Sequence, residues 1–119
     1  MRILKEHFPK TLGEASEALA ACIEAFGETL PVERVILFGS CARGAAGRDS
    51  DVDLCIVVRG LRSQRQGARM LRKSIGRIRN KPALSLVPIS SERLLEKQRI
   101  NDPFFNTIVR EGVCLAEKD

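Results

Sequence analysis

Tryptophan and tyrosine are both missing from this chain, and histidine occurs once, at His7. Five phenylalanines are the only large aromatic rings, which leaves little for a surface that grips nucleic acid by stacking bases on side chains. No run of about 18 apolar residues occurs, so a membrane-spanning helix is excluded. The opening MRILKEHFPK lacks the apolar stretch of a secretory signal, and a cytoplasmic location is expected. Cysteine is present at Cys22, Cys41, Cys55 and Cys114, yet none forms a C-x-x-C pair and His7 is remote from all four in sequence. Zinc-type spacing is therefore absent. Cys55 falls in an apolar run and Cys22 on an apolar helical face, where a reduced thiol packs as a small hydrophobe.

Acidic residues are missing from one long segment. Between Leu54 and Ser91 there is no aspartate or glutamate, while Arg59, Arg62, Arg65, Arg69, Arg72, Lys73, Arg77, Arg79 and Lys81 all fall there. That segment accounts for much of the net charge of +5. Its field would attract an acidic or phosphate-bearing partner, such as a nucleic acid. The same pattern equally describes a solvated helix face, and no aromatic residue interleaves with these charges.

What is present suits one compact domain, 1–119, with a core drawn from the 44% hydrophobic residues. Ala15, Leu19, Cys22, Ile23 and Phe26 recur at helical spacing, which predicts a helix over 11–27, capped by Thr11 with Glu14 as reciprocal acceptor and ended by Gly27. Strands are expected at 33–38 and 51–58. A basic helix follows over 61–80, with Leu61, Ala68, Leu71, Ile75 and Ile78 on its core face. A third strand, 83–89, contains Pro88 and is expected at an edge or to end early. Ser90 or Ser91 caps a short helix through Gln98. Asp102-Pro103 starts another that stops at Gly112, before a last strand, VCLA. This order predicts an α/β or α+β fold with a small mixed sheet.

The chemistry concentrates in LFGSCARGAAGRDSDVDLCIVV, Leu37 to Val58. Strand alternation puts Asp51 and Asp53 on one face, about 7 Å apart along the strand. Two carboxylates so placed repel one another, and a divalent metal between them removes that penalty. Hard oxygen ligands suit magnesium, which completes its shell with water and substrate phosphates. Upstream, Gly39 lets the backbone approach a ligand closely. Ser40 supplies a hydroxyl where a helix can begin, and amides at such a start favour phosphate. Arg43 and Arg48 can add charge-assisted contacts to phosphate oxygens. A strand, a phosphate-gripping turn and a metal-binding second strand together suit a nucleoside triphosphate. Each piece alone is ordinary: a Gly-Ser pair is usually just a turn, and Asp-x-Asp at a strand entrance is usually solvated or caps a loop.

Gly-Ser, ten residues, Asp-x-Asp resembles the signature of the polymerase-beta-like nucleotidyltransferase superfamily. More narrowly, FGSCARGAAGRDSDVDLCIVV is similar to the minimal nucleotidyltransferases, typified by F-G-S-x-A-R-G followed by S-D-x-D-L. The likeness extends over about residues 12–116. It implies a mixed sheet flanked by helices, magnesium ions, and transfer of a nucleotidyl group from ATP or another triphosphate. By it, Gly39 and Ser40 match the triphosphate-gripping pair, Arg43 the arginine of the A-R-G step, and Asp51 and Asp53 the first two catalytic, metal-binding carboxylates. The family usually sets a third carboxylate on the third strand. Here the matching position is Ser85, a poor base near neutral pH. Glu92, which follows that strand, is one candidate replacement.

Small stand-alone members of the family often pair with a HEPN-type toxin, and some add AMP to it. Members that modify aminoglycosides usually carry an extra helical domain, for which 119 residues leave little room. The resemblance thus implies an adenylyltransferase acting on a partner protein, or an antitoxin that works by contact over a degenerate site. Nucleic-acid binding through residues 61–81 is a third expectation.

Overall fold

The computed structural model describes residues 1–44 and 51–119. Its centre is a five-stranded mixed sheet formed by β1 (Arg2–Ile3), β2 (Val32–Phe38), β3 (Val52–Val58), β4 (Leu84–Ser90) and β5 (Val113–Glu117), in the order β1-β5-β2-β3-β4. The pairings of β1 with β5, β5 with β2 and β2 with β3 are antiparallel; β3 and β4 run parallel. A parallel pair needs a crossover, and α2 (Gln64–Ser74) supplies it. The other helices are α1 (Ala15–Thr29), α3 (Ser91–Arg99) and α4 (Pro103–Glu111). The expected small mixed sheet flanked by helices is therefore found.

Alternation along β3 divides the molecule into two cores. Val52, Leu54, Ile56 and Val58 pack with Leu19, Ile23 and Phe26 of α1 and Leu71 of α2. Cys55 and Val57 face the other way, against Leu94 of α3 and Phe105 and Ile108 of α4. Burying such a side chain stabilises the fold by about 1.5–3 kcal/mol, and β3 is apolar on both faces because both are covered. All four cysteines are free thiols. Burial pushes the Cys55 thiol up to about 12, so it packs and does not react.

Several local expectations change. Thr11 does not cap α1. Gly13 (φ +54°) interrupts the chain after a single 3-10 turn at Lys10–Leu12, and the helix begins at Ala15 without a side-chain cap. Gly27 does not end α1, which runs on to Thr29; it lies beside Met1, whose sulfur a β-carbon there would meet at an ordinary contact of 3.4 Å. The basic helix is shorter than 61–80. Ser63 caps it, accepting a hydrogen bond from the Gln66 amide at 3.1 Å, and it closes at Ser74. Ile75 and Ile78 still pack on the core from the turns that follow. Ser90 caps α3, accepting from the Arg93 amide. Asp102 caps α4 in the same way through the Phe105 amide.

Pro88 lies on β4, at the sheet's edge. Its carbonyl accepts a hydrogen bond from Gln64 Nε2 at 2.8 Å, and the Leu84 carbonyl accepts one from the Arg72 guanidinium at 2.7 Å. Side chains of α2 thus engage two of the outward carbonyls of that edge.

Candidate active site

The end of β2 and the starts of β3 and β4 meet at one end of the sheet. Phe38 pairs with Asp53 across the antiparallel ladder, and Asp53 pairs with Ser85 across the parallel one. Neighbouring residues in a sheet share a face, so Phe38, Asp53 and Ser85 form one row on the side occupied by α3 and α4. Asp51, two residues before Asp53, has the same parity and is exposed; Asp53 and Ser85 are half-buried.

The chain leaves β2 through Gly39, whose φ of +76° lies in the left-handed region that glycine adopts freely. A β-carbon at residue 39 would collide with Asp53 Oδ2. Glycine is thus required twice, for the backbone angle and to admit the Asp53 carboxylate. The segment after it makes one helical turn, with the Arg43 amide donating to the Gly39 carbonyl at 3.2 Å, but no regular helix is formed through residue 44. Ser40 lies within this turn, half-buried, and Arg43 is exposed. Cys41 Sγ donates to the Asp51 carbonyl at 3.5 Å, tying the turn to the entrance of β3. Arg48 lies outside the described residues.

Partial burial raises the Asp53 carboxyl above its ordinary value, and the negative charge of Asp51 pushes it the same way. The two carboxylates are therefore close enough to feel one another. Among the described residues, no group of three histidine, cysteine, aspartate or glutamate side chains suited to holding a metal is found. A pair of hard oxygen donors beside a turn rich in main-chain amides is the donor set that suits magnesium shared with phosphate.

Glu92 does not join them. It follows Ser90, which pairs with Val58 at the opposite end of β3, roughly 16 Å along the strand from the Asp53 row at about 3.3 Å per residue. It cannot stand in for the carboxylate missing at Ser85.

The alternation of β3 pointed to the Asp51–Asp53 pair, but an adjoining cleft was hidden from sequence reading. It opens between the 39–44 turn and α4, has a volume of about 420 Å³, and is lined by Phe38, Gly39, Arg43, Phe104, Thr107 and Glu111, among others. About sixty residues separate its two walls in sequence, so no local pattern announces it.

The basic residues lie elsewhere. Arg62, Arg65, Arg69, Arg72, Lys73, Arg77 and Arg79 are all exposed. Among the described residues none of them forms an ion pair. No described helix is long and apolar enough to cross a membrane.

Against known proteins, a family model described as a nucleotidyltransferase domain matches residues 19–109. No curated protein matches. Among solved structures, a Sulfolobus solfataricus protein, provisionally named a nucleotidyltransferase, is similar with a TM-score of 0.64 and 21% identity, over 92% of this chain and 89% of that one. A toxin-antitoxin structure with AMP-PNP gives 0.52 and 18% identity, over 82% of this chain and 71% of that one. A mutant of the toxin-antitoxin MntA-HpeT gives 0.52 and 17%, over 84% and 73%. At such identities these likenesses establish a shared fold.

Proposed function

The chain belongs to the nucleotidyltransferase domain family, and from that premise we propose that it binds a nucleoside triphosphate with magnesium and transfers AMP to a partner protein. The observation that supports this reading is the close approach of the Asp53 carboxylate to Gly39, which brings that carboxylate beside the Gly-Ser turn. In this reading the unit is a single domain, 1–119. Gly39, Ser40 and Arg43 grip the triphosphate through amides, a hydroxyl and a guanidinium, and Arg48, further along the same sequence motif, adds a second cation. Asp51 and Asp53 would hold the metal. Magnesium there would supply charge neutralisation on the phosphate oxygens while the α-phosphorus is attacked and pyrophosphate leaves.

The proposed partner is a HEPN-type toxin, with this chain as its antitoxin. Two solved structures with the same fold are toxin-antitoxin assemblies, one of them with AMP-PNP. The exposed cations of α2 offer a face for an acidic surface of that partner, or for an RNA it engages. A cytoplasmic setting accords with four free thiols, two of them buried.

A second reading rests on Ser85. Its place beside Asp53 is where a third carboxylate would accept the proton of the attacking hydroxyl, and serine does that poorly. The chain would then bind nucleotide and partner without transferring, or transfer slowly. Incubation of the full chain with α-labelled triphosphates, magnesium and the product of the neighbouring gene separates the two. Label on the partner supports transfer; nucleotide binding without label supports the binding module; neither binding nor label removes both.

A further inference from the structure

Resting on that reading of the phosphate turn, we propose that the cleft between the 39–44 turn and α4 holds the nucleobase of the bound triphosphate, stacked on Phe104. The cleft's place is the first reason. Gly39 and Arg43 line it, and the same two residues belong to the phosphate-gripping turn. Phe38, on its floor, pairs with Asp53, so the cleft begins one strand spacing, about 4.8 Å, from the carboxylate row and on the same face of the sheet.

The lining is the second reason. At about 420 Å³ the cleft lies in the range of small-molecule pockets, which are apolar with a few placed polar groups. Phe38, Phe104 and Ile108 supply the apolar walls, and Thr107 and Glu111 supply a hydroxyl and a carboxylate. A hydroxyl and a carboxylate are groups that can read the hydrogen-bonding edge of a base.

Phe104 is the third. It is 49% exposed, although its neighbour Phe105 is buried in the core. Its ring is held edge-to-face by two others, Phe38 at 5.7 Å and Phe105 at 5.0 Å between centroids. A large ring fixed in orientation and left half in water is a stacking platform, and stacking tolerates any base because every base has a π face.

Titration of the full chain with magnesium and two probes, ATP and inorganic tripolyphosphate, tests the idea. ATP should bind at least about tenfold more tightly than tripolyphosphate, the scale of one base–aromatic stack. Phe104→Ala should bring ATP down to the tripolyphosphate level and leave tripolyphosphate unchanged. Thr107→Trp, which fills the cleft, should do the same, and it carries the test if Phe104→Ala loses tripolyphosphate binding through misfolding. Equal affinity of the two probes in the parent chain would overturn the base site while leaving the phosphate turn intact. So would ATP binding undiminished in both variants, which would assign the cleft to an acceptor side chain instead. Failure of the parent to bind either probe would overturn the triphosphate reading itself.

Discussion

The carboxylate of Asp53 occupies the space that a β-carbon on residue 39 would need. The glycine of the turn and the aspartate of the next strand are thus one unit, although they stand 14 positions apart in the chain. Gly39→Ala must both adopt a left-handed backbone angle and displace the carboxylate. Strain of that kind costs about 1–2 kcal/mol. The expected outcome is a lower unfolding midpoint together with loss of magnesium-dependent ATP binding, by thermal melting and calorimetry. Gly39→Val should be worse on both counts. A folded Gly39→Ala variant that binds ATP like the parent would show that the turn does not set the site.

Asp53→Asn should separate stability from binding. The aspartate sits half-buried beside Asp51 with a like charge to repel, so removing its charge should not lower the unfolding midpoint of the nucleotide-free protein. The same substitution should remove most of the stabilisation that ATP and magnesium confer on the parent. Melting curves with and without the ligands measure both, and equal ligand-induced shifts in mutant and parent would remove the metal role.

Ser85→Asp places a carboxylate beside Asp53 in the register the sheet already provides. Nucleotidyl transfer to an acceptor should rise by a factor on the order of 10²–10⁴, the usual scale of a positioned base. Robust transfer by the parent would mean that some other group already removes the proton. Glu92 is too far away to be that group. No gain, with ATP binding intact, would favour the binding module.

Arg65 and Arg69 stand one helical turn apart on α2, both exposed. Reversing both to glutamate should weaken binding to the partner or to RNA and flatten its salt dependence. Arg72 is a poor choice for this test, because its guanidinium holds the Leu84 carbonyl. Unchanged affinity at low salt would leave the strip as a solvated face.

Glu33 gives a pH prediction away from the site. Its carboxylate accepts hydrogen bonds from Lys118 Nζ at 2.9 Å and from the Ser91 hydroxyl, and the first of these does most to hold it below the ordinary glutamate value. A depressed folded pKa means that the contribution to stability is complete above the unfolded value, near 4.5, and is lost as pH falls through the folded one. Glu33→Gln should therefore destabilise the protein near neutral pH and make little difference in strong acid. Denaturant titrations at both pH values would show it, and an equal loss at both would point to packing instead of charge.

The strands around the site were legible because alternation is a strong signal. Leu54, Ile56 and Val58 against Asp51 and Asp53 fix which face carries charge, and the sheet keeps that assignment. Ser85 was reached through the family resemblance, and the parallel register sets it beside Asp53. Local chemistry misled where two signals competed. Thr11 and Glu14 have the spacing of a cap, but Gly13 between them turns the backbone away. Ile75 and Ile78 continue the periodicity of α2 after its hydrogen bonding has stopped, since a turn can present an apolar side chain as well as a helix can. Arg2 and Ile3 are too few to show a pattern, so β1 emerges only from its pairing with β5. The cleft beside Phe104 depends on where α4 lands. Gly112 controls that landing, for any side chain there would strike Ile36 and the Ile108 carbonyl.

Pro88 has a consequence for how this molecule can meet others. Main-chain N–H and C=O of one strand residue point to the same side, and the Pro88 carbonyl points outward to Gln64. Its missing donor is therefore on the open side of β4, where an incoming sixth strand would need it. With the Leu84 carbonyl also engaged by Arg72, that edge lacks one donor and has two of its outward acceptors already taken. Fibril-like stacking and recruitment of a partner by strand addition are both disfavoured there. Recognition at this side of the molecule is left to side chains, chiefly the arginines of the helix that shields the edge.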